Sequence, residues 1–142
     1  MEPCCLASHA IIAGFGVPGR AAAEMYRAAG TSYCVIELNP TTVDRCGHTG
    51  TPIIEGDVAD ETTLRRAGVE HATVLLLLVP NEKAVLAAIP IARQLNPNIR
   101  IVARCTYTSS GLQAQRRGAD ETIVAEQVVA REVLRLLEAK MA

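Results

Sequence analysis

Short apolar runs recur along the chain, and each is followed by a stretch with the apolar spacing of an amphipathic helix. Runs this short and uniformly apolar are typical of parallel strands that are buried on both faces. They predict six strands, at 10–14, 33–38, 52–54, 73–79, 99–105 and 121–124. The intervening stretches predict six helices, at 18–29, 40–48, 60–67, 82–95, 107–117 and 126–140. This alternation predicts a doubly wound α/β sheet with strand order 3-2-1-4-5-6.

Residues that favour helix ends mark the predicted boundaries. Asn39 followed by Pro40 is typical of an N-cap and a first helical position. Glycines follow three of the predicted helices, at Gly30, Gly68 and Gly118. No linker or repeat interrupts the pattern, and 142 residues suffice for one domain with its own core. We expect one domain over residues 9–142, preceded by an N-terminal extension, residues 1–8.

Composition argues against several classes of function. Apolar residues make up 49% of the chain but aromatic residues only 3%, which leaves little for nucleic-acid bases to stack on. The 14 basic and 15 acidic side chains nearly cancel, which also argues against a nucleic-acid partner. No segment approaches the roughly 20 apolar residues that cross a bilayer, and the start of the chain lacks a secretion signal. Five cysteines without a C-x-x-C pair favour a reduced, cytoplasmic setting.

Three glycines lie where the first predicted strand joins the first helix: Gly14, Gly16 and Gly19, in the stretch HAIIAGFGVPGR. In dinucleotide-binding sheets the first glycine permits the turn, the second lets the backbone approach a pyrophosphate, and the third lets helix and strand pack closely. The phosphates then lie at the positive end of the helix. The spacing alone is weak evidence, because glycines also collect at ordinary turns.

An acidic residue follows the glycines at a distance that suits the same interpretation. Glu37, at the end of the second predicted strand, lies 18 residues after Gly19. An acidic side chain that binds the adenosine ribose comes roughly 20 residues after this glycine motif. A carboxylate accepts hydrogen bonds from both ribose hydroxyls and repels a 2′-phosphate, so NAD(H) or an unphosphorylated adenosine is favoured over NADP. The alternative is an exposed glutamate at a strand end. Together these features predict a Rossmann-like nucleotide-binding sheet.

Two further polar residues follow strands at the same predicted edge of the sheet. Asp57 comes after the third strand and Asn81 after the fourth. Ligands of doubly wound sheets bind at the carboxyl ends of the strands. Asp57 is therefore placed to accept a hydrogen bond from an adenine amino group, and Asn81 to line the pocket near the phosphates or a second ribose. Turn chemistry is the alternative for both residues.

The residues that redox enzymes need are missing. No tyrosine is followed by a lysine four residues later, and six strands with their helices leave no room for a substrate domain. The three histidines, none with an evident carboxylate partner, are predicted to be surface residues: His9, His48 and His71. Cys46 and His48 are too isolated for a metal site. We expect no catalysis and no metal; a small NAD-dependent oxidoreductase and an interaction module with a vestigial site remain alternatives.

Several blocks together resemble the regulator-of-potassium-conductance (RCK) domain, also called the KTN or TrkA-N domain. They are HAIIAGFGVPGR, VIELNP, EGDVAD, LLLLVPNEKAVLAAIPIARQLNPNIRIVARC and GADETIVAEQVVAREVL. The resemblance runs from about His9 to Leu137. Within this family, the chain most resembles the cytoplasmic nucleotide-binding domains of Kef-type potassium efflux and cation–proton antiporters. It implies regulation of a membrane cation transporter, fused or associated, at the cytoplasmic face of the inner membrane.

The resemblance also implies a ligand and the residues that hold it. The ligand would be NAD(H) or AMP, ADP or ATP, with the glycines at the phosphates, Glu37 at the ribose, Asp57 with Val58 at the adenine, and Arg104 near the ligand or a dimer cleft. The cofactor-binding set is Gly14, Phe15, Gly16, Val17, Gly19, Arg20, Glu37, Leu38, Asp57, Val58, Pro80, Asn81 and Arg104. Many relatives carry an arginine where this chain has Val17-Pro18, and Arg20 would partly replace it.

The last predicted helix carries an apolar stripe that must be buried. Its members are Val129, Val133, Leu136 and Leu137, and the opposite face carries Arg131, Arg135 and Glu138. The resemblance implies a homodimer through these C-terminal helices. The alternative is that the stripe packs on its own sheet.

Overall fold

The computed structural model describes residues 9–141, which form a six-stranded parallel sheet with the order β3-β2-β1-β4-β5-β6. The strands are β1 (Ala10–Ala13), β2 (Tyr33–Glu37), β3 (Ile53–Glu55), β4 (Val74–Leu77), β5 (Arg100–Cys105) and β6 (Glu121–Val124). The helices are α1 (Val17–Ala29), α2 (Pro40–Thr49), α3 (Glu61–Arg66), α4 (Glu82–Leu95), α5 (Thr108–Arg117) and α6 (Ala125–Met141). The predicted fold class and strand order are confirmed. The extension 1–8 lies outside the described residues, so the domain division stays a prediction.

The helix ends follow the local chemistry that predicted them. The Asn39 side chain accepts a hydrogen bond from the Thr41 N–H at 2.9 Å and caps α2. Gly30 ends α1 with φ 71°, a conformation that glycine adopts without steric cost. A short 3₁₀ helix at Val69–His71 was not predicted.

The two faces of the sheet are covered unequally. On one face, side chains such as Ile11, Leu75 and Ile101 pack under α3, α4 and α5 in a large buried cluster. On the other face, only Ile12, Ala23, Val35 and Leu78 form the buried cluster, beneath α1.

Residues 9–141 leave the thinly covered face open above β5 and β6. Val102 and Arg104 are only half-buried there, and Ile123 is exposed. Helix α6 does not close this gap: none of its described residues is buried, and its main packing contact is with β6. The four residues of the predicted apolar stripe are 48–63% exposed. The alternative that the stripe packs on its own sheet is therefore wrong.

Two predictions about side-chain environment are wrong as well. His9 is fully buried rather than at the surface, because its Nε2–H donates to the carbonyl of Ala67 at 2.7 Å. His48 and His71 are exposed, as predicted. Cys46 and Cys105 are free and buried, but Cys34 is disulfide-bonded, so the expectation of reduced cysteines does not hold for it.

Arginine side chains join the elements at two places. The Arg93 guanidinium donates to the carbonyls of Pro97, Ile99 and Gly118 and to the Asp120 carboxylate, which also accepts from the Ile101 N–H at 2.8 Å. This network ties α4 to the starts of β5 and β6. In α4, Pro90 has no N–H to donate to the carbonyl of Leu86, and Arg117 of α5 donates to that carbonyl instead, at 3.0 Å.

Candidate functional site

The β1–α1 turn separates the three glycines into two roles. Gly14 has φ +101°, and a Cβ there would lie 2.8 Å from the Val79 nitrogen. A Cβ on Gly19 would lie 1.9 Å from the Gly14 carbonyl oxygen. A Cβ on Gly16 would meet nothing within 4 Å. The chain's own packing therefore requires glycine at positions 14 and 19, whereas Gly16 faces open space that a ligand can occupy.

The N-terminus of α1 faces this space, and no acidic side chain of the helix itself neutralises its positive end. Gly16 is the N-cap, no side chain caps the helix, and the first turn contains no acidic residue. The free N–H groups and the helix dipole favour an anion there. Pro18 in the first turn supplies no N–H. Arg20 adds a positive charge beside the turn: its Nε donates to the Phe15 carbonyl at 3.3 Å.

The Glu37 carboxylate lies between the glycine turn and the end of β2. Its Oε2 accepts from the Phe15 N–H at 3.0 Å, and its Oε1 accepts from the Asn39 N–H at 3.4 Å. The carboxylate is half-buried and lines the open cleft at the carboxyl edge of the sheet. In dinucleotide-binding sheets an acidic side chain at the end of the second strand accepts bonds from ribose hydroxyls, and this role of Glu37 stays a prediction.

Two cavities meet at Glu37 and Pro80 and together form the cleft. The first, of about 310 Å³, is mostly apolar, and its lining includes Leu38, Asp57, Val58, Asn81 and Ala84. The second, of about 510 Å³, runs along the glycine turn, and its lining includes Gly14, Phe15, Gly16, Val17, Arg20 and Arg104. All the predicted site residues except Gly19 thus line one cleft, and Gly19 lies against the turn. The apolar cavity suits a purine ring, and the second suits phosphates.

Asp57 and Asn81 line the cleft, and their side chains also make the local turn bonds that were the alternative for them. One Asp57 carboxylate oxygen accepts from the Ala59 N–H at 2.9 Å. The Asn81 side-chain oxygen accepts from the Ala84 N–H at 3.2 Å and caps α4. Each residue therefore shapes a loop of the cleft, and its contact with a ligand stays a prediction.

Sequence reasoning missed several residues around the cleft. Thr42 of α2, Leu78 and Val79 line it; the sequence placed Leu78 and Val79 inside the predicted strand 73–79 and Thr42 in the first turn of a helix, so nothing marked them as site residues. Cys46 lies beneath it; burial raises the pKa of its thiol, and the nearby Arg20 lowers that pKa in part.

Glu82, the first residue of α4, connects the segment after β4 to the segment after β5. Its carboxylate accepts from the backbone N–H groups of Thr106 and Tyr107. The Thr106 bond, the largest cause, lowers the Glu82 pKa, and a bond from the Ser110 side chain lowers it further. The backbone N–H groups that follow β5 therefore already have a hydrogen-bond acceptor within the protein.

A third cavity, of about 260 Å³, continues from the second at the foot of α6. The two cavities share Pro18, Leu78 and Arg104. The other lining residues of the third cavity are Ile123, Ala125, Val128 and Val129. Arg104, predicted near the ligand or a dimer cleft, thus lies between the cleft and α6.

The sheet with its glycine-containing β1–α1 turn matches a known domain family. The model of the TrkA-N domain matches residues 10–125. The chain belongs to the TrkA-N domain family. The resemblance predicted from the sequence blocks is therefore confirmed.

Two curated relatives of this TrkA-N domain carry the names of putative antiporters. The chain is 32% identical to the putative cation/proton antiporter YbaL of Escherichia coli over 136 residues, which cover 96% of the chain and 24% of YbaL. It is 27% identical to the putative K(+) efflux antiporter KefB of Alkalimonas amylolytica over 83% of the chain and 18% of KefB. The chain thus spans a quarter or less of the length of these two relatives.

Solved structures agree with the fold and include nucleotide complexes. The TrkA-N domain of YbaL superposes with a TM-score of 0.88, at 32% identity, over 93% of this chain and 98% of that one. The Kef C-terminal domain of Shewanella denitrificans in its AMP-bound form has a TM-score of 0.75 at 25% identity, over 92% and 81%. The GsuK channel has been solved with ADP, at a TM-score of 0.79, 25% identity and coverage of 98% and 35%, and also with NAD.

Residues 9–141 contain neither a helix able to cross a membrane nor a candidate metal-binding cluster. No helix there combines the length and apolar character that a membrane crossing needs. The same residues contain no group of three or more His, Cys, Asp or Glu side chains placed to hold a metal ion.

Proposed function

We propose that this chain is a nucleotide-binding regulatory domain that controls a potassium or other cation transporter, fused or associated, at the cytoplasmic face of the inner membrane. It binds NAD(H) or AMP, ADP or ATP in the cleft at the carboxyl edge of the sheet. It is not an enzyme. Ligand exchange shifts the domain between two states, which requires that the nucleotide binds one of them more tightly.

The observation that carries this proposal is the joined cleft around Glu37. A mostly apolar cavity, a carboxylate and an uncapped helix N-terminus follow one another in the order base, ribose, phosphate. Gly16 leaves the phosphate position open. The AMP-bound and ADP-bound relatives support an adenine nucleotide as the ligand class.

The second part of the proposal is a homodimer through α6. The helix exposes the apolar side chains of Val129, Val133, Leu136 and Leu137, and it stands beside a sheet face that residues 9–141 leave partly uncovered. Full burial of an exposed large apolar side chain contributes about 1.5–3 kcal/mol, and these four are about half exposed, so each would contribute part of that amount when a second copy covers this surface. A dimer would place two ligand cavities next to two copies of α6.

Isothermal titration of the chain with NAD⁺, NADH, AMP, ADP and ATP tests the ligand. We expect binding by at least one of them, with an affinity that falls about tenfold or more in Glu37→Ala as bonds to a charged acceptor are lost. Glu24→Ala, an exposed glutamate of α1, is the matched control. If no adenine nucleotide binds, the regulatory proposal is wrong; turnover of NAD⁺ with small alcohols would make the chain an enzyme.

Molar mass by light scattering tests the dimer. We expect a dimer for the native chain and a monomer for Val133→Glu combined with Leu136→Glu, because two charges in an apolar interface are costly. Arg131→Glu, on the opposite face, should leave the dimer intact. A native chain that is monomeric at tens of micromolar, with and without nucleotide, would refute the dimer.

A further inference from the structure

We infer that the third cavity, at the foot of α6, is a second binding site that takes a small carboxylic acid with an apolar body. Arg104 binds the carboxylate there, and the apolar side chains around it hold the body. The inference goes beyond the proposed function, because this site lies beside the nucleotide cleft and needs no nucleotide.

The walls of the third cavity are apolar and come from several elements. Pro18 belongs to α1, Leu78 follows β4, Ile123 lies in β6, and Val128 lies in α6. Ile123 and Val128 are each 41% exposed, so a large part of their apolar surface contacts solvent. An apolar group that covers them is stabilised, because its own surface and theirs are removed from water together. The cavity therefore favours an apolar body.

One charged side chain stands at the border of this apolar cavity. Arg104 is half-buried and lies between the second and third cavities. Within residues 9–141 its guanidinium has no hydrogen-bond or ion-pair partner, whereas Arg100, on the same face of β5, donates to the Glu121 carboxylate. Partial burial of N–H donors without an acceptor costs free energy, and a carboxylate can accept two parallel bonds from a guanidinium. The arginine therefore favours an anionic head group, and a carboxylate matches its geometry.

The same lining argues against polar and large ligands. Apart from Arg104, the side chains around the third cavity carry no hydrogen-bonding group. The hydroxyls of a sugar or the ammonium group of an amino acid would lose their bonds to water there without replacement. The volume of about 260 Å³ also lies below the roughly 300–1,000 Å³ of pockets that hold drug-sized molecules. The ligand class is thus a monoanion with a short apolar body.

The cavity is separate from most of the surface proposed for the dimer. It is lined by the start of α6, from Ala125 to Val129, whereas Val133, Leu136 and Leu137 lie further along the helix. Each residue of a helix adds about 1.5 Å, so Val133 lies about 6 Å and Leu137 about 12 Å beyond Val129. A second copy that packs on the later residues need not cover the cavity.

Titration of the ¹⁵N-labelled full chain with hexanoate, without nucleotide, tests this inference by NMR. We expect saturable shifts of the amide signals of Ile123, Val128 and Val129. 1-Hexanol, which keeps the apolar body without the charge, should bind at least about fivefold more weakly. In the series acetate, butanoate and hexanoate, each methylene group that becomes buried should raise the affinity about threefold to fourfold.

Three variants separate the head group from the body. Arg104→Gln should lower hexanoate affinity at least about fivefold and change 1-hexanol affinity by less than about twofold. Arg100→Gln, on the same strand and face, is the matched control and should change neither affinity. Val128→Trp places a larger side chain in the cavity and should abolish the binding of both ligands. Thermal unfolding of each variant checks that it is folded.

Several outcomes would overturn the inference. Hexanoate that binds no more tightly than 1-hexanol, or equally well in Arg104→Gln, would remove the role of the arginine. Binding by the Val133→Glu and Leu136→Glu double variant but not by the native chain would show that a second copy fills the cavity. Absence of saturable shifts up to on the order of 10 mM hexanoate would also refute the site. Each of these results leaves the nucleotide proposal standing, because nucleotide titration tests that proposal separately.

Discussion

The three glycines of the β1–α1 turn should respond to substitution in two different ways. Gly16→Ser adds a side chain where the structure has open space, at a backbone φ of −80° that any residue adopts. Serine is also a favoured N-cap. We therefore expect the free energy of unfolding to change by less than about 0.5 kcal/mol, while the added atoms occupy the phosphate position and lower nucleotide affinity at least about tenfold.

Gly14→Ala and Gly19→Ala should act on the fold instead. At Gly14, a non-glycine residue with φ +101° costs about 1–2 kcal/mol, and its Cβ would also meet the Val79 nitrogen at 2.8 Å. At Gly19, the Cβ would meet a backbone oxygen at 1.9 Å, so α1 must move away from β1. Such overpacking typically costs about 1–3 kcal/mol or more. A loss of about 3 kcal/mol lowers the melting temperature by roughly 10 °C in a domain of this size.

Urea denaturation and isothermal titration of the three variants provide the assay. The reasoning requires a native-like free energy of unfolding with lost binding for Gly16→Ser, and a lowered free energy for the other two. Native-like affinity in Gly16→Ser would remove the phosphates from the glycine turn. A native-like free energy of unfolding in Gly19→Ala would show that the close approach of α1 to β1 is not needed.

Three other substitutions test structural contacts. Arg93→Ala should lower the free energy of unfolding by about 2–4 kcal/mol, since the charge-assisted bonds of a mostly buried guanidinium are lost. Arg100→Ala should lower it far less, because the ion pair of Arg100 is exposed. Equal decreases for the two variants in urea denaturation would contradict this. The Glu82 pKa is lowered in the folded chain, so the ionised carboxylate stabilises the fold above the unfolded pKa of about 4.3, and this stabilisation is lost as the pH falls through the folded pKa. Glu82→Gln should therefore weaken the dependence of the free energy of unfolding on pH at acid pH. An unchanged pH dependence would contradict this. Arg117→Ala should cost about 1 kcal/mol in the native chain but little in a Pro90→Ala background, where residue 90 regains an N–H for the same carbonyl; additive costs in this double-mutant cycle would contradict the compensation.

Local chemistry made the sheet and most of the cleft predictable. The apolar runs of β1 and β2 are continuous because both faces of these central strands are covered, and the turn between β1 and α1 admits only glycine at positions 14 and 19. Once the strand order is given, the carboxyl ends of β1, β2, β3 and β4 must lie at one edge. The strand order alone therefore predicts that Glu37, Asp57 and Asn81 lie at that edge.

What the sequence did not predict depends on contacts between distant residues. The burial of His9 follows from a carbonyl 58 residues away, which nothing near position 9 announces. Arg93 looks like any polar residue of an amphipathic helix, because its acceptors lie in two later segments, before β5 and before β6. The apolar stripe of α6 has the same spacing whether it faces its own sheet or another copy, so periodicity alone cannot choose.

The unequal covering of the two sheet faces has a consequence for motion. Elements with few buried apolar contacts open locally at a lower free energy than the rest of a fold. Helix α1, with Gly19 and Ala23 as its buried residues, lies over the smaller cluster, whereas α4 is anchored by Val85, Ala88, Ile89 and Ala92. The amides of α1 should therefore exchange with solvent deuterium sooner than those of α4. Since the glycine turn is the start of α1, the helix nearest the proposed phosphate position is also the one whose opening a bound ligand would most readily suppress.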